Sequence, residues 1–283
     1  MRPGLILMIA LVLAAASPAA EQQPPEPPAP VGLESYRLAR EPVRIKGVGD
    51  NASGLAYSPV TKTLFVVLNS PTVVVELSLE GVPRRFIPLR GFSDTEGIAH
   101  VNGDAFVIAE EGRQTLVLVR IGPDTEAVDY ASCRKIVLDP RSGGNQGIEG
   151  VACDPNPKKR RFFAVKEKGP RRIYRLVEVP EEGPTPKVEQ PWDIEKQSLG
   201  MRDLSDVYYH APTGHLLILS HESYCAVECT VEGKEISRMS LDDGESGLEE
   251  GPPKPEGITM DAAGVLYICS EPNLLYVFSK PEE

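Results

Sequence analysis

Thr95-Glu96-Gly97-Ile98-Ala99 is the stretch from which the fold is read. It returns as Ile148-Glu149-Gly150-Val151-Ala152 and as Pro255-Glu256-Gly257-Ile258-Thr259. Weaker copies are Ala52-Ser53-Gly54-Leu55-Ala56 and Leu204-Ser205-Asp206-Val207-Tyr208. Measured between Gly54, Gly97, Gly150, Asp206 and Gly257, the five copies stand 43, 53, 56 and 51 residues apart. Self-similarity at about 50 residues marks a repeat architecture rather than a layered domain.

Each copy opens the same local pattern. After the first copy (strand Ser53–Ser58) come apolar runs at Thr63–Leu68, Val73–Leu79 and Arg85–Leu89, separated by turn residues such as Ser58-Pro59. Four short antiparallel strands with tight turns form the blade of a β-propeller. The fifth copy is followed only by Val265–Cys269 and Leu274–Phe278, so its blade is one strand short. An orphan strand, Tyr36–Ile45, precedes the first copy. An open edge would leave backbone groups unpaired, so the orphan is expected to supply the missing strand. The expected fold is all-β: a five-bladed β-propeller over 34–283, its last blade completed by the N-terminal strand.

What precedes the repeats is of another kind. Arg2, the apolar run Leu5–Ala16 and the small residues Ser17 and Ala19 give residues 1–20 the plan of a secretory signal peptide. Residues 21–33 read as a Pro-rich linker. A periplasmic or secreted protein is expected, the alternative being one tethered by an uncleaved signal anchor. No integral membrane domain is expected beyond this segment. The 283 residues carry a net charge of −11, with no basic patch to offset it, which argues against nucleic-acid binding. The cysteines are five, an odd number, and none form a CxxC pair, so zinc is not indicated. Cys225 and Cys229, four apart on one strand, share a face but lie too far apart for a disulfide.

The propeller geometry turns the repeat into a site. The first strand of a blade lines the central channel, and the second runs back, so the start of one and the end of the other reach the same mouth. The first position reads Ser53, Glu96, Glu149, Ser205 and Glu256. The second reads Asn69, Glu110, Glu167, His221 and Glu271. A lone Glu before Gly is commonly a turn, but carboxylates crowded at one opening repel unless a cation sits among them. Hard oxygen donors without a matching Cys/His set favour Ca²⁺. Glu96, Glu149 and Glu256 are the expected metal ligands. Asn69, Glu110, Glu167, His221 and Glu271 are further ligands or their supports. His221 lies in no nucleophile elbow, so no catalytic residue is assigned. Trp192, the single tryptophan, falls in one of two rim loops, 180–203 and 241–254, that suit contact with a small molecule or protein.

Asn51-Ala52-Ser53-Gly54-Leu55-Ala56-Tyr57, Phe92-Ser93-Asp94-Thr95-Glu96-Gly97-Ile98, Ala164-Val165-Lys166-Glu167-Lys168 and Ser270-Glu271-Pro272-Asn273-Leu274 together resemble the bacterial SdiA-regulated family. The resemblance runs from about residue 35 to the end. It implies a five-bladed propeller, distantly similar to NHL-repeat proteins, with a calcium site in the channel like that of propeller lactonases and phosphotriesterases. It implies no activity. The chain departs from the family at Leu204-Ser205-Asp206, where Leu-Ser-Gly is usual. The expected function is an exported calcium-binding propeller that binds a ligand or partner, with a structural Ca²⁺ in the channel. The alternative is a calcium-dependent hydrolase of the lactonase or phosphotriesterase type.

Overall fold

A computed structural model describes residues 28–138, 147–179, 183, 186–197 and 199–281. The expected signal peptide and most of the expected linker lie outside these residues.

β1 (Arg37–Arg44) comes first in the chain and last in the ring. Blade one holds β2 (Ala52–Ser58), β3 (Thr63–Asn69), β4 (Thr72–Leu77) and β5 (Pro83–Arg90). Blade two holds β6 (Thr95–Asn102), β7 (Ala105–Glu110) and β8 (Thr115–Arg120). The short β9 (Val128–Asp129) crosses back to lie parallel to β5, and β10 (Arg134–Val137) completes the blade. Blade three holds β11 (Ile148–Asp154), β12 (Arg161–Lys166), β13 (Arg172–Val177) and β14 (Lys187–Glu189). Blade four holds β15 (Asp206–His210), β16 (His215–Ser220), β17 (Cys225–Cys229) and β18 (Glu235–Ser240). Blade five holds β19 (Lys254–Met260), β20 (Leu266–Glu271) and β21 (Leu274–Ser279), and its outer strand is β1. The pairing Arg37↔Ser279 through Arg44↔Leu274 is the closure expected from the missing strand. The register slips between Arg40 and Val43, around Pro42, which has no N–H to offer a ladder.

The core is divided among the blade boundaries. On β3, Phe65 and Val67 pack against Phe106 and Ile108 of blade two, while Leu64 and Val66 face Cys269 and Val277 of blade five. Both faces of a middle strand are thus buried, which is why these strands read as unbroken apolar runs rather than alternating ones. The other three boundaries have their own apolar clusters. The five cysteines are free thiols, and Cys225 and Cys229 share the cluster between blades three and four.

The repeat glycines sit where the inner strands converge. A Cβ on Gly54 would come within 2.5 Å of Glu96 O, one on Gly97 within 2.7 Å of Glu149 O, and one on Gly257 within 2.6 Å of Ser53 O. None of these has positive φ. Their role is close backbone approach between neighbouring blades. Asp206 breaks the series: it lies against Gly150, and its buried Oδ2 accepts a bond of 2.9 Å from Ile258 N in blade five. Where the other four repeats have glycine, this one therefore ties blade four to blade five through a side chain.

Two expectations about the periphery are refined. The insertions are partly built into the fold: Trp192, Ile194 and Met201 are buried between blades three and four, and Leu248 is buried beside β1, with Leu38 N bonded to Ser246 O. Residues 31–33, assigned above to the linker, dock on blade four. Leu33 is fully buried, and Glu228 accepts the N–H groups of Val31 (2.8 Å) and Gly32 (3.0 Å). No helix among the described residues is long and apolar enough to cross a membrane.

Candidate functional site

The Glu-Gly phrase is a β-bulge. Thr95 pairs with Glu110 and Gly97 with Ala109, leaving Glu96 as the extra residue. Glu149 stands in the same way between Ile148↔Lys166 and Gly150↔Val165, and Glu256 between Pro255↔Ser270 and Gly257↔Cys269. A bulge bends its strand and re-aims a side chain. Here it turns one carboxylate from each of three blades into the channel mouth.

These three line a cavity of about 410 Å³ with Asn69, Asp94, Glu111, Glu167, Lys168, Asp203, Ser205, His221 and Lys254. Seven carboxylates face two lysines across it. Glu96 is held by Ser53 Oγ (2.7 Å) and Asn69 Nδ2 (2.9 Å). Glu111 accepts from Gly147 N at 2.9 Å. One oxygen each from Asp94, Glu96 and Glu111 can be chosen so that all lie within 4.8 Å of one another. The charges of Glu96, Glu111, Glu256 and Glu167 all bear on Glu149, and that of Lys166 opposes them. Across the cavity, Lys254 Nζ bridges Glu256 and Glu271, each at 2.8 Å, and Lys168 Nζ pairs with Glu167 at 2.9 Å and Glu222 at 2.7 Å. His221 Nδ1 lies 3.7 Å from Asp203 and 4.0 Å from Glu256.

Burial and mutual repulsion hold Glu96, Glu111, Glu149 and Glu256 toward their neutral forms. Burial lifts Glu149 well above the usual carboxylate range, and its four acidic neighbours add to this. Burial likewise pushes Glu111 and Glu256 up to about 7, Lys254 opposing the rise at Glu256. Two carboxylates at 4 Å repel by about 4 kcal/mol at an effective dielectric of 20. Two lysines at one side cannot offset seven acids. Seven carboxylates with a single imidazole, His221, and no thiol among the described lining residues suit a hard divalent cation better than zinc or copper, which select nitrogen- and sulfur-rich sets.

Among the residues expected from sequence, Glu96, Glu149, Glu256, Asn69, Glu167 and His221 line the cavity. Glu271 stands one step out, behind Lys254. Glu110 does not reach it. Glu110 is fully buried and accepts from Ser93 N (2.9 Å) and Arg113 Nη1 (2.8 Å). The residue equivalent to Asn69 and Glu167 in blade two is Glu111, because a one-residue slip moves a side chain to the opposite face. A further position escaped the sequence reading: the residue two before the bulge, which contributes Asp94, Asp203 and Lys254. The shared offset in Asp94-Thr95-Glu96 and Asp203-Leu204-Ser205 was the available signal.

Known proteins extend this picture. The family described as SdiA-regulated matches residues 29–279. The calcium-binding protein regucalcin from Agrobacterium tumefaciens aligns over 82% of this chain and 91% of its own, with 12% identity and a TM-score of 0.51. A gluconolactonase from Xanthomonas campestris aligns over 92% of this chain and 99% of its own, with 13% identity and a TM-score of 0.50. A chain of the nidogen/laminin complex aligns over 78% of this chain and 73% of its own, with 16% identity and a TM-score of 0.50. At these identities the likeness is one of fold.

Proposed function

This chain belongs to the SdiA-regulated family, and from that premise and the acidic mouth of its channel we propose that it is an exported calcium-binding propeller whose ion-loaded mouth binds a ligand or partner. The observation that carries this is the crowd around Glu149, on which four acids bear at once. Asp94, Glu96 and Glu111, whose oxygens can gather, would hold the ion together with Glu149, with Asn69 and Ser53 orienting Glu96. When bound, Ca²⁺ would neutralise the inner-strand ends of blades two and three and offer a positive centre to an anionic or carbonyl oxygen. Regucalcin's description as calcium-binding agrees with this assignment. Titration calorimetry on metal-stripped protein is expected to show Ca²⁺ binding that weakens about tenfold or more in Glu149→Gln, since one ligand charge is lost. No heat from the native protein would remove the ion from the site.

A second reading is favoured by one feature. His221, with Asp203 behind it, stands in the same cavity and could accept a proton from a water near the acids. That would make the protein a calcium-dependent hydrolase of lactones or phosphate esters. A panel of both substrate classes, with and without Ca²⁺, separates the readings: turnover that needs Ca²⁺ and vanishes in His221→Ala establishes the hydrolase. Export is tested by recovering the protein outside the cytoplasm and sequencing its N-terminus.

A further inference from the structure

The channel has a second mouth of opposite chemistry. It lies at the far ends of β2, β6, β11, β15 and β19, and encloses a cavity of about 730 Å³. Among the described residues no Lys or Arg lines it, and the one carboxylate is Asp261. Asp261 is already engaged: it accepts from Ala263 N (2.9 Å), Val265 N (3.0 Å) and the Tyr267 hydroxyl (3.1 Å). The histidines that line it, His100 and His210, are held toward the neutral form by burial. The space comes from the sequence. Two residues past the repeat glycine, blades one to three carry Ala56, Ala99 and Ala152, while blade four carries Tyr208 at the matching position. Tyr208 and Tyr57 both line the cavity, and neither hydroxyl has a hydrogen-bond partner nor either ring a stacked ring among the described residues. At the rim Val60 is 62% exposed.

A concave, largely apolar space of a few hundred Å³ with a few polar groups is the usual form of a small-molecule site. From this combination we propose that the apolar mouth binds one uncharged, aromatic small molecule, packed on Tyr57 and Tyr208 over the alanine floor and hydrogen-bonded to one of the two phenols. The absence of cationic side chains from the lining disfavours an anion, and the engaged Asp261 leaves little for a cation. Unstacked aromatic faces are met best by another ring, offset or edge-on. The site is independent of calcium, because it lies at the other end of the channel, past the tight ring of glycines and Asp206.

The test uses 2-naphthol as probe, neutral near pH 7, and saturation-transfer NMR on the intact protein with and without Ca²⁺. Transfer to the naphthol ring is expected in both conditions. Affinity is expected to fall about fivefold or more in Tyr57→Ala, which removes a ring contact and a phenol. Ala152→Leu, which fills the floor, should act likewise; thermal melts check that each variant is folded, and Tyr57→Ala decides if the leucine is not tolerated. No transfer at millimolar naphthol overturns the proposal. So does unchanged affinity in folded Tyr57→Ala, or transfer abolished by removing Ca²⁺, which would put the probe at the acidic mouth.

Discussion

Glu111 and Glu256, each pushed up to about 7 mainly by burial, tie stability to pH. Folded, these acids keep protons up to about pH 7; the unfolded chain releases them near 4.5. The metal-free protein should therefore lose stability as pH rises between about 4.5 and 7, by up to about 3 kcal/mol per group. Melts in EDTA are expected to give a lower Tm at about pH 8 than at about pH 5.5, with Ca²⁺ restoring more at the higher pH. A Tm that rises with pH in EDTA would contradict a crowded, buried set of acids. Asp206 makes a different prediction. Its carboxyl is pushed well above the usual range by burial and receives Ile258 N. Asp206→Ala should cost about 2 kcal/mol, the penalty of a buried N–H left without its acceptor, while Asp206→Asn keeps an acceptor and costs less. Urea unfolding of the two variants measures the difference.

β1 is held twice: by β21 along its length and, through the segment before it, by Glu228. Glu228 is fully buried and also takes bonds from Ser237 Oγ (2.6 Å) and His215 Nδ1 (2.7 Å). Replacing it by Ala strands two backbone N–H groups, a loss of about 3 kcal/mol or more. Hydrogen exchange should quicken first at residues 31–44 in Glu228→Ala; if protection there is unchanged, the anchor is not what holds the strand. At this scale the sequence is both readable and deceptive. The glycine period, the blade count and the missing fifth-blade strand were legible, because all three depend on hydrophobic runs or on backbones that must meet. Glu110 misled because two acids stand together and strand register, not residue type, decides which one faces the channel. Asp94 and Asp203 went unnoticed because they precede their strands, and Lys254 because it opens β19, where no alternation yet points to a direction. The anchoring role of residues 31–33 was hidden by the prolines before them, whose composition says linker while Leu33 fills a core position.

Across the whole molecule, every blade shares its core with both neighbours, so no blade has a core of its own. Damage at one boundary should therefore be felt by the ring as a unit. Phe65→Ala, at the boundary of blades one and two, should lower stability by about 3–5 kcal/mol yet leave one unfolding transition, coincident by tryptophan fluorescence and circular dichroism. Two separated transitions would mean that blades unfold independently. The pairing of Arg37 with Ser279 has another consequence. The start of β1 and the end of β21 leave the ring side by side, at the face that carries the apolar mouth, where Tyr36 OH meets Gly264 O. A bead, a surface or a fused domain attached close behind Ser279 would therefore stand beneath the disc. It would partly shade the apolar entrance and leave the acidic one looking outward, so protein immobilised there should keep its acidic mouth open to calcium.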